Sequence, residues 1–148
     1  LILSNSLLNY FGKIMFKIKN LIALVFCVFT TTILAGETLQ ISQQELLEAL
    51  KVPNNDIVLL DVRSEDEYNH GHLAGAINVS HNAVEDNLTQ LAQYKDSTVV
   101  VYCRSGRRAG VAEDILSSNG FNSLRHLTGD MNGWLEAKLP VVNSDHKH

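Results

Sequence analysis

From Glu37 onward, short apolar runs alternate with stretches whose apolar residues recur at helical spacing. The segment Ile41-Ser42-Gln43-Gln44-Glu45-Leu46 holds a complete helix start. Ser42 can cap, Glu45 can reach back to the Ser42 N–H, and Ile41 can staple onto Leu46. Leu46, Leu47 and Leu50 then share one face, and Pro53-Asn54-Asn55-Asp56 breaks the chain. Ile57–Leu60 is continuously apolar, as expected of a strand buried on both faces. Ser64 and Glu67 form a second capping box, which predicts a short helix to about Asn69, ending near Gly71.

Ala76–Val79 reads as a short strand, and Val84, Leu88, Leu91 and Ala92 predict a helix. Thr98–Tyr102, with three consecutive valines, is the strongest strand signal. A polar loop follows, then a helical stripe of Ala109, Ala112, Ile115 and Leu116. That helix should end in a Schellman cap, with Gly120 left-handed and Phe121 folded back onto Leu116. Ser123–Leu127 is a last strand, and Asp130 is placed to cap a final helix carrying Trp134 and Leu135 before Pro140. Such interleaving implies an open, mostly parallel sheet covered on both faces, with ligands bound beyond the carboxyl ends of its strands.

The segment before Glu37 has another character. Met15, Lys17 and Lys19 precede an apolar run from Leu21 to about Ala35, the pattern of a cleaved export leader. The expected organisation is an upstream extension at 1–14, a signal peptide at 15–35, one domain at 37–143 and a frayed tail at 144–148. Export to a bacterial periplasm, with cleavage near Ala35 and no stable membrane association afterwards, is the expectation.

Composition changes this picture little. The chain has 148 residues, 45% of them hydrophobic and 19% charged, as in an ordinary globular protein. Its formal charge of -4 and the lack of a large basic surface argue against nucleic-acid binding. Cysteine is more informative. Of the two cysteines, Cys27 falls in the leader, which leaves Cys103 without a disulfide partner in an oxidising compartment.

Cys103-Arg104-Ser105-Gly106-Arg107-Arg108 lies between the strongest strand and a helix start. The helix start offers unpaired N–H groups and partial positive charge. A loop curled around the sulfur can aim further N–H groups inward, and three arginines add charge. Each effect favours thiolate over thiol. Gly106 gives the loop backbone angles closed to other residues. This chemistry suits a sulfur nucleophile and a small oxyanion.

Four segments, in order, give the chain a wider likeness: Asp61-Val62-Arg63, His72-Leu73-Ala74-Gly75-Ala76-Ile77-Asn78, Tyr102–Ala109 and Gly129-Asp130-Met131-Asn132-Gly133-Trp134. On these the chain resembles the rhodanese family, and small exported single-domain members most. The resemblance implies an α/β fold with an open, mostly parallel five-stranded sheet and helices on both faces. It implies a thiosulfate sulfurtransferase in which Cys103 takes sulfane sulfur from a small anionic donor such as thiosulfate. A thiophilic acceptor, cyanide or a thiol, then receives that sulfur. The loop through Ser105 and Gly106 would hold the persulfide. Arg104 or Arg107 is expected to contact the donor, and Arg108 either joins them or turns inward as a structural partner. Asp61, Arg63 and His72 are read as structural neighbours of the site. No metal or organic cofactor is implied, and a monomer is expected.

Two other functions compete. A cysteine-dependent phosphatase or arsenate reductase would need its motif arginine at position 109, where this chain has alanine, and the tyrosine and dual-specificity phosphatases would need histidine at 102, where it has tyrosine. A persulfide carrier serving a protein partner would keep the same cysteine and differ only in turnover.

Overall fold

The computed structural model describes residues 38–144; the readings made for residues 1–35 and for the end of the tail fall outside them. Strands β1 (Leu39–Ile41), β2 (Ile57–Asp61), β3 (Ile77–Asn78), β4 (Thr98–Tyr102) and β5 (Leu124–Leu127) form one five-stranded sheet in the order β1-β5-β4-β2-β3. All its pairings are parallel. The helices are α1 (Gln43–Leu50), α2 (Glu65–His70), α3 (Leu88–Leu91), α4 (Arg107–Ser118) and α5 (Asp130–Glu136).

β4 lies at the centre, and its alternation builds two cores. Val99, Val101 and Cys103 pack with Ala109, Ala112 and Leu116 of α4 and with Leu91 of α3. Val100 and Tyr102 pack on the other face with Leu46 of α1 and with Met131 and Trp134 of α5. The face occupied by Tyr102 is therefore opposite to that of Cys103. Burying β4 on both sides accounts for its unbroken valines.

Local signals were accurate where they were self-contained. Both capping boxes form, Ser42 with Glu45 and Ser64 with Glu67. Gly120, at φ 87°, ends α4 as the Schellman motif requires. Its N–H donates to the Ser117 carbonyl at 3.3 Å and that of Phe121 to the Leu116 carbonyl at 3.2 Å. The helix expected from Val84 to Ala92 is instead broken into 3-10 turns at His81–Ala83 and Ala92–Tyr94, with α3 between them. Asn87 explains the break. Its side chain donates to the Ala83 carbonyl at 2.7 Å, offering the backbone a local alternative to a continuous helix. β1 had no residues assigned from the sequence pattern; it is a three-residue edge strand, too short to show a period.

Candidate active site

Cys103 follows the last residue of β4 at the carboxyl edge of the sheet and is 1% exposed. The chain then turns sharply into α4. Gly106 makes that turn at φ 97°, a left-handed conformation that an L side chain adopts only with strain. Its N–H donates to the Cys103 Sγ at 3.2 Å, closing the loop on the sulfur. No side chain caps the start of α4, so its first N–H groups remain free to face an anion.

The arginines divide. Arg104 and Arg107 are exposed, and neither has an ion-pair partner among the described residues. Arg108 is held elsewhere: its Nη1 and Nη2 donate to the two carboxylate oxygens of Glu67 at 2.6 and 2.8 Å. Of the two roles open to Arg108 in the sequence, donor contact and inward structural partner, the geometry shows the second. The bidentate pair satisfies the guanidinium in a fixed plane. Those hydrogen bonds, working against burial, raise the Arg108 pKa, with a smaller contribution from the nearby Cys103 sulfur. In return Arg108, also against burial and with help from Ser64, lowers Glu67 to about 2. Arg108 thus lends positive charge to the sulfur from a clamped position. Ser105 is exposed on the loop, where it can meet a ligand.

Asp61 and Arg63 lie beside the site. Asp61 is the last residue of β2 and shares the sheet face of Tyr102, away from the sulfur. Arg63 Nε donates to Asp61 Oδ1 and Oδ2, both at 3.0 Å, while Nη2 reaches Oδ2 at 2.6 Å and the Gly71 carbonyl at 2.7 Å. Burial opposes the Arg63 charge, but the Asp61 contacts outweigh it and raise its pKa. His72 stacks on Tyr68 at 3.6 Å between centroids, and its Nδ1 meets the Tyr68 carbonyl at 2.9 Å. Its backbone pairs with Val142, tying down the C-terminal segment. These three residues join elements, and none contacts Cys103.

A second buried charge cluster, on the sulfur side, escaped the sequence reading. Asp130 does not cap α5; Gly129 occupies that position. Asp130 instead turns its Oδ1 to the Cys103 N–H at 2.7 Å. Its Oδ2 meets His126 Nε2 at 3.2 Å, and His126 Nδ1 meets Glu113 Oε1 at 2.6 Å. His126 is level with Val101 in the β4–β5 register, so strand alternation sends it to the Cys103 face. The start of α5 also holds the loop backbone: Met131 N–H donates to the Cys103 carbonyl and Asn132 N–H to the Arg104 carbonyl, both at 3.1 Å. The one available signal was an aspartate directly after Gly129, four residues beyond a strand histidine.

Comparison with known proteins agrees with this fold. Residues 42–137 match the family described as Rhodanese-like domain. Thiosulfate sulfurtransferase PspE of Escherichia coli is 36% identical over 70 residues, covering 47% of this chain and 67% of that protein. The Escherichia coli protein YibN is 30% identical over 124 residues, covering 82% of this chain and 85% of its own. A rhodanese-related protein of Thermoplasma volcanium superposes with a TM-score of 0.63 at 28% identity, over 72% of this chain and 99% of that one.

Proposed function

The chain belongs to the rhodanese family, and on that basis we propose that it moves sulfane sulfur from thiosulfate to a thiophilic acceptor through a persulfide on Cys103. The observation that carries this reading is the Cys103 sulfur at the carboxyl edge of β4, bonded by the Gly106 N–H beside an uncapped helix start.

In the first step the Cys103 thiolate attacks the outer sulfur of thiosulfate. The donor's S–S bond breaks, its electron pair leaves with sulfite, and a new S–S bond gives a Cys103 persulfide anion. The free N–H groups of the loop and the start of α4 stabilise that outer sulfur. Arg104 and Arg107, exposed and without an ion-pair partner among the described residues, attract the dianionic donor. In the second step cyanide or a thiolate attacks the outer sulfur, and the electron pair of the persulfide bond returns to Cys103. No proton need be taken from either anion, so the site requires no general base.

The phosphatase alternative is weaker. Position 109 holds a fully buried alanine, and the nearest arginine, Arg108, is bound to Glu67. Steady-state assay with thiosulfate and cyanide tests the proposal. Expected are double-displacement kinetics, saturation in thiosulfate and no measurable p-nitrophenyl phosphate hydrolysis. Full loading with sulfur but poor turnover would replace the enzyme reading with that of a carrier for a protein partner. Phosphate-ester hydrolysis without sulfur transfer would reject both.

The same proposal has the domain acting in the periplasm as a monomer after cleavage near Ala35. The basic, apolar and small-residue order before Glu37 supports it. The N-terminal mass of protein recovered from periplasmic extract checks the cleavage point.

A further inference from the structure

Cys103 is gripped from behind by a buried aspartate that occupies a costly conformation. Asp130 has φ 52° and directly follows Gly129 at φ 80°. Asp and Asn tolerate the left-handed region better than other side chains, but glycine would enter it more easily. Asp130 also places a carboxylate beneath a loop whose chemistry needs an anionic sulfur. A Cβ added at Gly106 would lie 3.3 Å from Asp130 Oδ2 and 3.6 Å from His126 Nε2, so the pair sits directly against the turn of the loop. Left uncompensated, that negative charge would oppose both the thiolate and an approaching anion.

His126 supplies the compensation. Both its ring nitrogens lie within hydrogen-bond distance of a carboxylate oxygen, Nδ1 of Glu113 and Nε2 of Asp130. Only the imidazolium can donate from both nitrogens. The two hydrogen bonds, Asp130's first and Glu113's second, outweigh burial and raise His126 to about 10. The charged groups facing it are Glu113 from α4 and Asp130 from α5, while the neighbouring Arg125 alternates to the other sheet face. Arg108, clamped by Glu67 of α2, is a further cation close enough to Cys103 for the two to interact.

We propose that Asp130 and His126 are a positioning pair for the nucleophile: Asp130 fixes the Cys103 peptide through its N–H, and the His126 imidazolium offsets the adjacent Asp130 carboxylate, which favours an anionic sulfur on Cys103. Glu113 orients the imidazole from behind. The assignment rests on the sulfur-transfer reading of Cys103, but it concerns the ionisation of the thiol, which is measurable without thiosulfate.

The test is the pH dependence of Cys103 alkylation by iodoacetamide, together with single-turnover sulfur loading from thiosulfate. His126→Gln removes the cation and leaves Asp130 charged. Alkylation near neutral pH is expected to slow about tenfold, with its profile displaced to higher pH. Loading should slow by the same factor. Adding Asp130→Asn removes the uncompensated charge, keeps an oxygen for the Cys103 N–H and suits the left-handed backbone. The double variant should recover alkylation to within about threefold of the unaltered protein. An unmoved profile in His126→Gln, or a double variant slower than the single one, would overturn the proposal, since a pair that only packs gives one of those results. If His126→Gln does not fold, Asp130→Asn alone decides: alkylation at least as fast as the unaltered protein supports the pair, and slower alkylation contradicts it. Normal alkylation behaviour with no uptake of sulfur from thiosulfate would defeat the functional reading while leaving the positioning pair intact.

Discussion

Two buried charge clusters sit at the carboxyl edge of the same sheet, on opposite faces of it. Asp61 and Arg63 form one, closed by the Gly71 carbonyl. Glu113, His126 and Asp130 form the other. The first joins groups two residues apart and ties the end of β2 to the turn after α2. The second gathers α4, β5 and α5 around the Cys103 loop. Burial alone does not separate them. What separates them is the group at the end of each chain of contacts: the Gly71 carbonyl in one, the Cys103 N–H in the other. A buried ion pair that ends on the backbone of a connecting turn supports shape, whereas one that ends on the backbone of a cysteine beside an uncapped helix start also shapes that cysteine's charge environment.

Cys103→Ser should reduce sulfur transfer to background while leaving the thermal melt close to that of the unaltered protein; a variant with wild-type turnover would remove the sulfur from the account. Arg63→Ala should be the most destabilising change considered, by about 3–5 kcal/mol in denaturant melts, because it leaves Asp61 buried and unpaired. The fraction that remains folded should keep its kcat/KM. A large kinetic defect there would erase the distinction between the two clusters.

Gly106→Ala should show the reverse balance. The left-handed φ of 97° and the approach to Asp130 strain any side chain. A stability loss of about 1–2 kcal/mol is expected, with a disproportionate fall in persulfide formation. Arg104→Ala should raise KM for thiosulfate about fivefold, near 1 kcal/mol for an exposed charged contact, with little change in kcat. Unchanged KM would transfer the donor contact to Arg107.

A separate effect is on stability against pH. The folded His126 value of about 10 stands above its unfolded reference of 6.5. The protonated pair therefore contributes its full stability below pH 6.5 and loses it as pH rises towards 10. Glu67 has the opposite sign: its folded value of about 2 lies below 4.5, so its contribution is present above 4.5 and lost as pH falls towards 2. Melting temperature should decline at both ends. His126→Gln should flatten the alkaline side.

The same contrast explains what was legible in the sequence. Strands β2, β4 and β5, both capping boxes and the Schellman turn are written in neighbouring residues, and the chain reads them out locally. The Cys103 loop was legible for the same reason, because its cysteine, glycine and arginines are contiguous. Asp61 and Arg63 are two residues apart and drew attention as a pair. Glu113, His126 and Asp130 belong to three elements and meet only because the β4–β5 register sets His126 beside Val101. From the sequence alone Asp130 reads as an ordinary helix cap, since nothing in the neighbouring residues shows that Gly129 takes that position. Arg108 could not be told from Arg104 and Arg107 without Glu67, which lies 41 residues away in the chain. The helix expected around Val84 failed because apolar spacing does not register what the Asn87 amide does to the backbone.

The central claim is that the Cys103 sulfur itself accepts the transferred atom. Intact-protein mass spectrometry after thiosulfate treatment, followed by peptide mapping, measures it directly. The predicted result is a mass gain of one sulfur located on Cys103 and lost again on addition of cyanide. Unchanged mass, or a gain that persists in Cys103→Ser, would contradict it.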